Sequence, residues 1–317
     1  MKIQYWKQVN TQTVGSSHIA KNIPCQDSTF SLFKKGVRVL ALADGAGSRK
    51  LSHIGSEIVV KEISHFLCDH FENLFIQLEN QDEHSKNSIE VKKQVINIIQ
   101  GKLFDYASTH SNIDIDELAS TLLFFAYSKN RYILGHVGDG IIGVLKEANQ
   151  THEIETVSFP ENGQAANITF FVTNQDVMDH LRIQSGFNHH LNGMVLMSDG
   201  PEEAFFDVFN GLNSNTVKLF TNFSNITEKK YIEILTNLLK DQISKISDDD
   251  LSLNICYLET KEISQNNIDM LKNQLSLIKE TQCLYVISKD TYKFDETFMM
   301  NDRNTDKLIE IKAGYLT

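Results

Sequence analysis

Val37-Arg38-Val39-Leu40-Ala41-Leu42-Ala43-Asp44-Gly45-Ala46-Gly47-Ser48 is an apolar, β-branched run that stops at an acid and a glycine. Its length and composition predict a buried strand, with Asp44-Gly45 carrying a carboxylate into the loop at its C-terminal end. The arrangement recurs along the chain. Val137-Gly138-Asp139-Gly140 follows one apolar segment, Met197-Ser198-Asp199-Gly200 ends another, and Asp248-Asp249-Asp250 directly precedes the apolar stretch Leu251–Leu258. Each Asp-Gly pair alone is an ordinary turn signal. Acids gathered at neighbouring strand ends have a second use. They repel one another and lose hydration, and a hard divalent cation such as Mg²⁺ or Mn²⁺ removes that conflict. The glycines after Asp44, Asp139 and Asp199 allow tight turns and let a carbonyl or a phosphate approach the backbone.

Outward from this run the period changes. Ile54, Ile58, Val59, Ile63, Phe66, Leu67 and Phe71 follow three-four spacing, which predicts an amphipathic helix from Ser52 to about Phe71. Gln77 to Ser88 reads as a polar connection, and a second helix is expected over roughly Ile89–Ser108. Ser120–Ser128 and Tyr132–Val137 predict a hairpin about Lys129-Asn130-Arg131. Gly140–Leu145, Glu153–Phe159 and Ile168–Thr173 continue the β pattern. A helix over Asn174–Ile183, a strand at Gly193–Ser198, a long helix over Thr227–Ile246 and a strand at Leu251–Leu258 follow. Strands this numerous, with helices in blocks between them, predict an α+β fold of antiparallel sheets with helices packed outside. Residues 1–259 read as one domain and 260–317 as a folded extension. In the extension Ile268, Leu271, Leu275 and Ile278 form a helical stripe, and Cys283–Ile287 reads as a strand.

Of the 317 residues, 41% are hydrophobic and 22% charged, which is enough to build a core and argues against a disordered chain. Lys and Arg total 30 against 41 Asp and Glu, a formal charge of -11, so a general nucleic-acid binder is disfavoured. The apolar runs fall short of the roughly 20 residues of a membrane helix, and Met1–Lys7 lacks the apolar core of a secretory signal. A soluble cytoplasmic protein without membrane contact is expected. Cys25, Cys68, Cys256 and Cys283 lie far apart and the 11 histidines show no paired-ligand spacing, so neither a disulfide frame nor a zinc site is indicated.

Read in order, the segments carry a resemblance. Gly15-Ser16-Ser17-His18, Pro24-Cys25-Gln26-Asp27, Ala43–Ser48, Ala119-Ser120-Thr121-Leu122, Val137–Gly140, Met197–Gly200 and Asp249-Asp250-Leu251-Ser252 resemble the protein phosphatase 2C family of metal-dependent Ser/Thr phosphatases, in its bacterial branch. The resemblance spans about Gly15 to Leu258. It implies a central antiparallel β-sandwich flanked by helices on both sides, in α-β-β-α layers. It also implies hydrolysis of phosphoserine and phosphothreonine in proteins by a water that two Mn²⁺ or Mg²⁺ ions activate, with a third ion at a weaker position. On that resemblance Asp44 is the bridging carboxylate, and the Gly45 carbonyl is a ligand of the second metal. Asp199 and Asp249 complete the first metal, Asp27 stands beside the second, and Asp139 marks the third. Asp250 stands where the family usually has Asn, so the Asp248–Asp250 run admits a register one residue off.

The departures concern neutral residues in place of charged ones. Gln26 stands where many members carry Glu, and Asn22 replaces the phosphate-binding Arg. His18, Lys21 and Arg49 are the candidates to take over the phosphate contact. Ala46 occupies the position of a leaving-group His, and His53 is the nearest histidine, with a structural role as the competing reading. These departures keep open a pseudophosphatase that binds a phosphoprotein or kinase without turnover, and a phosphohydrolase of small esters remains a further alternative. The expected partners are a phosphorylated protein substrate and, as a candidate, a cognate Ser/Thr kinase.

Overall fold

Every residue of Val37–Ala43 is buried, as befits a strand covered on both faces. The computed structural model describes residues 2–110, 113–148, 151–161, 169–224, 226–262, 286–287, 291–293, 298–302 and 307–311. In chain order the elements are β1 (Lys2–Thr13), α1 (Ser16–Lys21), β2 (Ser28–Lys34), β3 (Val37–Ala43), α2 (Ser52–Leu78), α3 (Lys86–Thr109), β4 (Leu122–Ser128), β5 (Arg131–Val137), β6 (Ile141–Ala148) and β7 (Thr151–Ser158). There follow α4 (Val177–His180), β8 (Arg182–Phe187), β9 (Leu191–Met197), α5 (Glu202–Phe205), β10 (Phe206–Asp207), β11 (Gly211–Leu212), α6 (Ser214–Thr221), α7 (Glu228–Asp241) and β12 (Leu251–Glu262). The last are β13 (Val286–Ile287), β14 (Thr291–Lys293), β15 (Phe298–Asp302) and β16 (Lys307–Ile311). Two compact units emerge: Gln8–Cys256, and Met1–Lys7 together with Tyr257–Thr317.

Within Gln8–Cys256 one sheet has the order β2-β3-β4-β5-β8, antiparallel throughout. The other runs β1-β12-β9-β6-β7, with β6 antiparallel to both β9 and β7. Asn254 of β12 ties the sheets together. Its amide donates to the carbonyls of Phe30 (2.9 Å) and Ala41 (3.0 Å), and its oxygen accepts from Ser31 Oγ (2.8 Å). α2 and α3 cover the outer face of the first sheet, where Ile63, Leu67, Phe71, Val95 and Leu103 join Val39, Ala41 and Phe124 in one core. α6 and α7 cover the second. A Cβ on Gly193 of β9 would meet the Phe220 ring of α6 at 2.6 Å, and Thr236 Oγ1 of α7 bonds Thr11 Oγ1 of β1 at 2.8 Å. The result is the sandwich flanked by helices that the family resemblance implied.

Local chemistry explains the element ends. Ser85 and Thr227 cap α3 and α7 by accepting from Ser88 N and Lys230 N. Lys129 and Asn130 both have positive φ (49° and 67°), so β4 and β5 are joined by a tight two-residue turn. α2 continues past Phe71 to Leu78 because Leu74, Phe75 and Leu78 still face the core.

Two expectations are corrected. The described part of Ile168–Thr173 is no strand: Thr169 forms a single bridge and turns follow. The helix expected over Asn174–Ile183 shrinks to Val177–His180, and Arg182–Phe187 is instead the edge strand paired with β5 from His136↔Arg182 to Arg131↔Phe187. Pairing with the open edge of β5, with Leu181 and Ile183 in the core, outweighs the helical spacing.

In the other unit, Lys2–Gln4 pair in parallel with β14, β14 pairs antiparallel with β13, and β15 and β16 form a hairpin. The Tyr5 hydroxyl donates to Glu259 (2.5 Å), Lys7 pairs with the same carboxylate, and all three are buried. The helix expected over Ile268–Ile278 lies outside the described residues, and of Cys283–Ile287 only β13 is described. Among the described residues no helix is long and apolar enough to cross a membrane.

Candidate metal centre

The loops after β3, β5 and β9 converge. One carboxylate oxygen each from Asp44, Asp139 and Asp199 lies within 4.8 Å of the others. Backbone and hydroxyl bonds brace the loop after β3. Asp44 N donates to Thr121 Oγ1 and Thr121 N to the Asp44 carbonyl, both at 2.8 Å, while Gly45 N donates to the Gln26 carbonyl (3.2 Å) and Ala46 N to that of Ala119 (2.9 Å). Gly45 permits this crossing, since a Cβ there would lie 2.7 Å from the Gln26 oxygen. Thr169 Oγ1 donates to Asp139 Oδ2.

Asp27 is buried beside this group. Both of its oxygens lack a hydrogen-bond partner, as do Oδ1 of Asp139 and Oδ1 of Asp199. Burial first, then the charges of Asp27, Asp199, Asp139 and Asp249, holds the Asp44 carboxyl well above the ordinary range. Burial is also the main cause that pushes Asp27 to about 7, with Asp250 and Asp199 adding to it against the nearby Ser252 and Ser198 hydroxyls. Asp199 rises to about 7 through burial and then the charges of Asp139 and Asp249. Asp139 rises by burial, opposed by its bond from Thr169. Converging carboxylates with unpartnered buried oxygens make an oxygen-only acceptor set, the donor chemistry that suits a hard divalent cation.

The acidic run divides its labour. Asp249 is exposed and accepts from Asp250 N at 2.8 Å, and its charge reaches Asp44, Asp139 and Asp199, although it lies outside the tight triple. Asp250, 2% exposed, faces the other way. Its Oδ1 accepts from Gly15 N (2.7 Å) with His18 Nδ1 3.0 Å away, and its Oδ2 accepts from Gln26 N (2.5 Å). It thereby holds the chain directly before Asp27. Gln26 Nε2 donates to the Arg49 carbonyl (2.8 Å), and Gln26 Oε1 has no partner.

The remaining candidates are scattered. His18 is buried against Asp250, whereas Lys21 is exposed at the end of α1. The Arg49 guanidinium lies 3.8 Å from Glu117. His53 sits on the first turn of α2 with a buried, unpartnered Nδ1. Asn22 is the left-handed C-cap of α1 (φ 56°), and the buried Ala46 has its N–H engaged by Ala119. Residue-by-residue reading missed Thr169, Ser198, Ser252 and the inward role of Asp250. Only the acidic run itself hinted at the last.

Comparison with known proteins completes the picture. A family model described as protein phosphatase 2C matches residues 14–244. Serine/threonine-protein phosphatase 3 of Escherichia coli (strain K12) is 26% identical over 263 residues, covering 78% of this chain and 96% of that protein. The catalytic domain of the serine threonine protein phosphatase PstP, solved with two manganese ions, superposes with a TM-score of 0.54 at 14% identity, covering 80% of this chain and 99% of that one. The S. agalactiae serine/threonine phosphatase gives a TM-score of 0.54 at 15% identity, covering 80% and 100%. The two structures share the fold. With the family match extending over residues 14–244, across both sheets and the convergent aspartates, the chain belongs to the protein phosphatase 2C family.

Proposed function

We propose that this chain hydrolyses phosphoserine and phosphothreonine esters in proteins with the help of two divalent cations, Mn²⁺ or Mg²⁺. The observation that carries the reading is the convergence of Asp44, Asp139 and Asp199 together with the buried, unpartnered oxygens of Asp27, Asp139 and Asp199. Asp44, the Gly45 carbonyl, Asp199, Asp249 and Asp27 are the groups that would hold the two ions, with Asp139 at a third, weaker position. Bound there, the ions would neutralise the carboxylates and acidify a water for attack on phosphorus.

The chain's own residues supply order. Asp250 holds Gln26 and hence Asp27, Thr169 orients Asp139, and Thr121 fixes the backbone of Asp44. His53, with a ring nitrogen free of protein partners, is the candidate to give a proton to the departing serine or threonine oxygen. His18 and Arg49 remain the candidates for the phosphate oxygens. A binding-only role would draw on Gln26, whose amide is engaged in holding the Arg49 carbonyl and brings no charge. Bringing Asp44, Asp139 and Asp199 together beside the buried Asp27 has a steep electrostatic cost that pure binding does not require.

Titrating Mn²⁺ into the purified full chain, with a phosphopeptide and an aryl phosphate as substrates, tests the proposal. Asp44→Asn should lower turnover far more than Gln26→Glu, which adds an anionic ligand. Near wild-type turnover in Asp44→Asn overturns the two-ion assignment.

A further inference from the structure

A groove of about 990 Å³ opens beside the carboxylate cluster. Its walls are Ser48 and Arg49 from the loop after Asp44, Gln100 and Phe104 of α3, the turn 114–116 and the segment 169–178. Two of its wall residues bond to the cluster's loops. Thr169 in its wall donates to Asp139, and Ala119, also in its wall, accepts from the N–H of Ala46, two residues after Asp44. A phosphoryl group held at the cluster would therefore leave the chain that carries it next to this groove. The volume suits a few side chains of a peptide and is far too small for a folded domain.

The lining has a sign. Asp114, Asp116 and Asp176 are exposed along it, against one guanidinium, Arg49, which is already drawn to Glu117 at 3.8 Å. Asp114 also accepts from Asp116 N (3.1 Å) and Asp176 has His180 Nε2 at 3.5 Å, and among the described residues no Lys or Arg pairs with either carboxylate. Phe104, 57% exposed, stands in the same wall. An aromatic face among carboxylates accommodates both the aliphatic stem and the cationic head of Lys or Arg. The formal charge of -11 repels an acidic phosphoprotein at long range, so close approach is helped by a cationic segment of the substrate. Resting on the phosphatase reading above, we infer that this groove seats the polypeptide flanking the phosphorylated residue and selects substrates with Lys or Arg there.

The test uses the full chain and its Asp116→Asn/Asp176→Asn double variant. Two phosphothreonine peptides, identical except for Lys or Glu at the flanking positions, are compared with an aryl phosphate that has no flanking chain. An exposed ion pair is worth up to about fivefold, so at low salt kcat/KM for the Lys peptide should exceed that for the Glu peptide by roughly tenfold. In the double variant the ratio should fall to about two, with aryl phosphate hydrolysis unchanged, and added salt should flatten the wild-type ratio in the same way. Equal kcat/KM for both peptides in the wild type, or a preference that the double variant retains, overturns the groove assignment alone. Fluorescence anisotropy of the labelled peptides reads binding without turnover. Lys-selective binding that the double variant loses, with no hydrolysis of any of the three substrates, upholds the groove and overturns the phosphatase reading. Neither binding nor hydrolysis overturns both.

Discussion

Replacing Asp250 with asparagine, the residue the family usually carries at this position, should damage this protein. The carboxylate receives backbone donors from both sides, Gly15 N at Oδ1 and Gln26 N at Oδ2, with His18 Nδ1 3.0 Å from Oδ1. An amide of the same shape has one acceptor and one donor. If its oxygen takes the place of Oδ1, its NH₂ faces the Gln26 N–H; if it flips, the NH₂ faces the Gly15 N–H. In either rotamer a backbone donor inside a site that is 2% exposed loses its acceptor. Loss of a charge-assisted bond and an unsatisfied buried donor together cost about 2–4 kcal/mol. For a domain of this size that corresponds to a Tm lowered by roughly 4–16 °C. Thermal or urea melts of metal-free Asp250→Asn and wild type measure it, with His18→Gln as a milder comparison because both backbone bonds survive. The Gln26–Asp27 segment would also be less firmly held, so the variant should need more Mn²⁺ for half-maximal activity. A metal-free Asp250→Asn that melts with the wild type would refute the argument that two buried backbone donors, one at each oxygen, demand a carboxylate.

Three more outcomes are expected. His53→Ala should slow phosphopeptide hydrolysis on the order of a hundredfold while sparing an aryl phosphate, whose leaving group departs without a proton; equal losses on both substrates would return His53 to a structural role. Truncation after Glu259 keeps Lys7 and Tyr5 with their buried partner and should retain aryl phosphatase activity, whereas a soluble, folded truncation that binds Mn²⁺ without activity would show that residues 260–317 help to build the site. His136 is wholly buried, and desolvation followed by the nearby Arg182 charge holds its pKa well below the ordinary value. Below about pH 6.5 the unfolded chain therefore takes up a proton that the folded one refuses, and stability falls by up to roughly 1.4 kcal/mol per pH unit. His136→Gln should remove that component, so urea melts of the two proteins should converge between pH 7.5 and 5.5; parallel curves would count against a neutral buried His136.

What residue order by itself determined is what depends on neighbours a few positions away. The unbroken apolar run Val37–Ala43, the three-four stripe from Ile54 and the Asp-Gly pairs after Ala43, Gly138 and Ser198 specify strands, a helix and acid-bearing loops without reference to the rest of the chain. Their order also carried the family resemblance, and with it the acids to inspect. β1 was not legible, because Lys7, Thr11 and Thr13 are polar residues that become buried only once their neighbours are in place. The same holds for Arg182–Phe187, where the helix expected over Asn174–Ile183 yields to an open sheet edge. Asp250 is the clearest case. Nothing local separates it from Asp248 or Asp249, and its burial and its partners come from residues 224 and 235 positions away along the chain. The raised carboxyl pKa values likewise belong to the assembled cluster, since desolvation and mutual repulsion exist only after the loops converge. Short-range pattern decides which segments become strands and helices; only the packed structure decides which of several identical side chains is turned inward, because that choice is made by donors and charges the sequence keeps far apart.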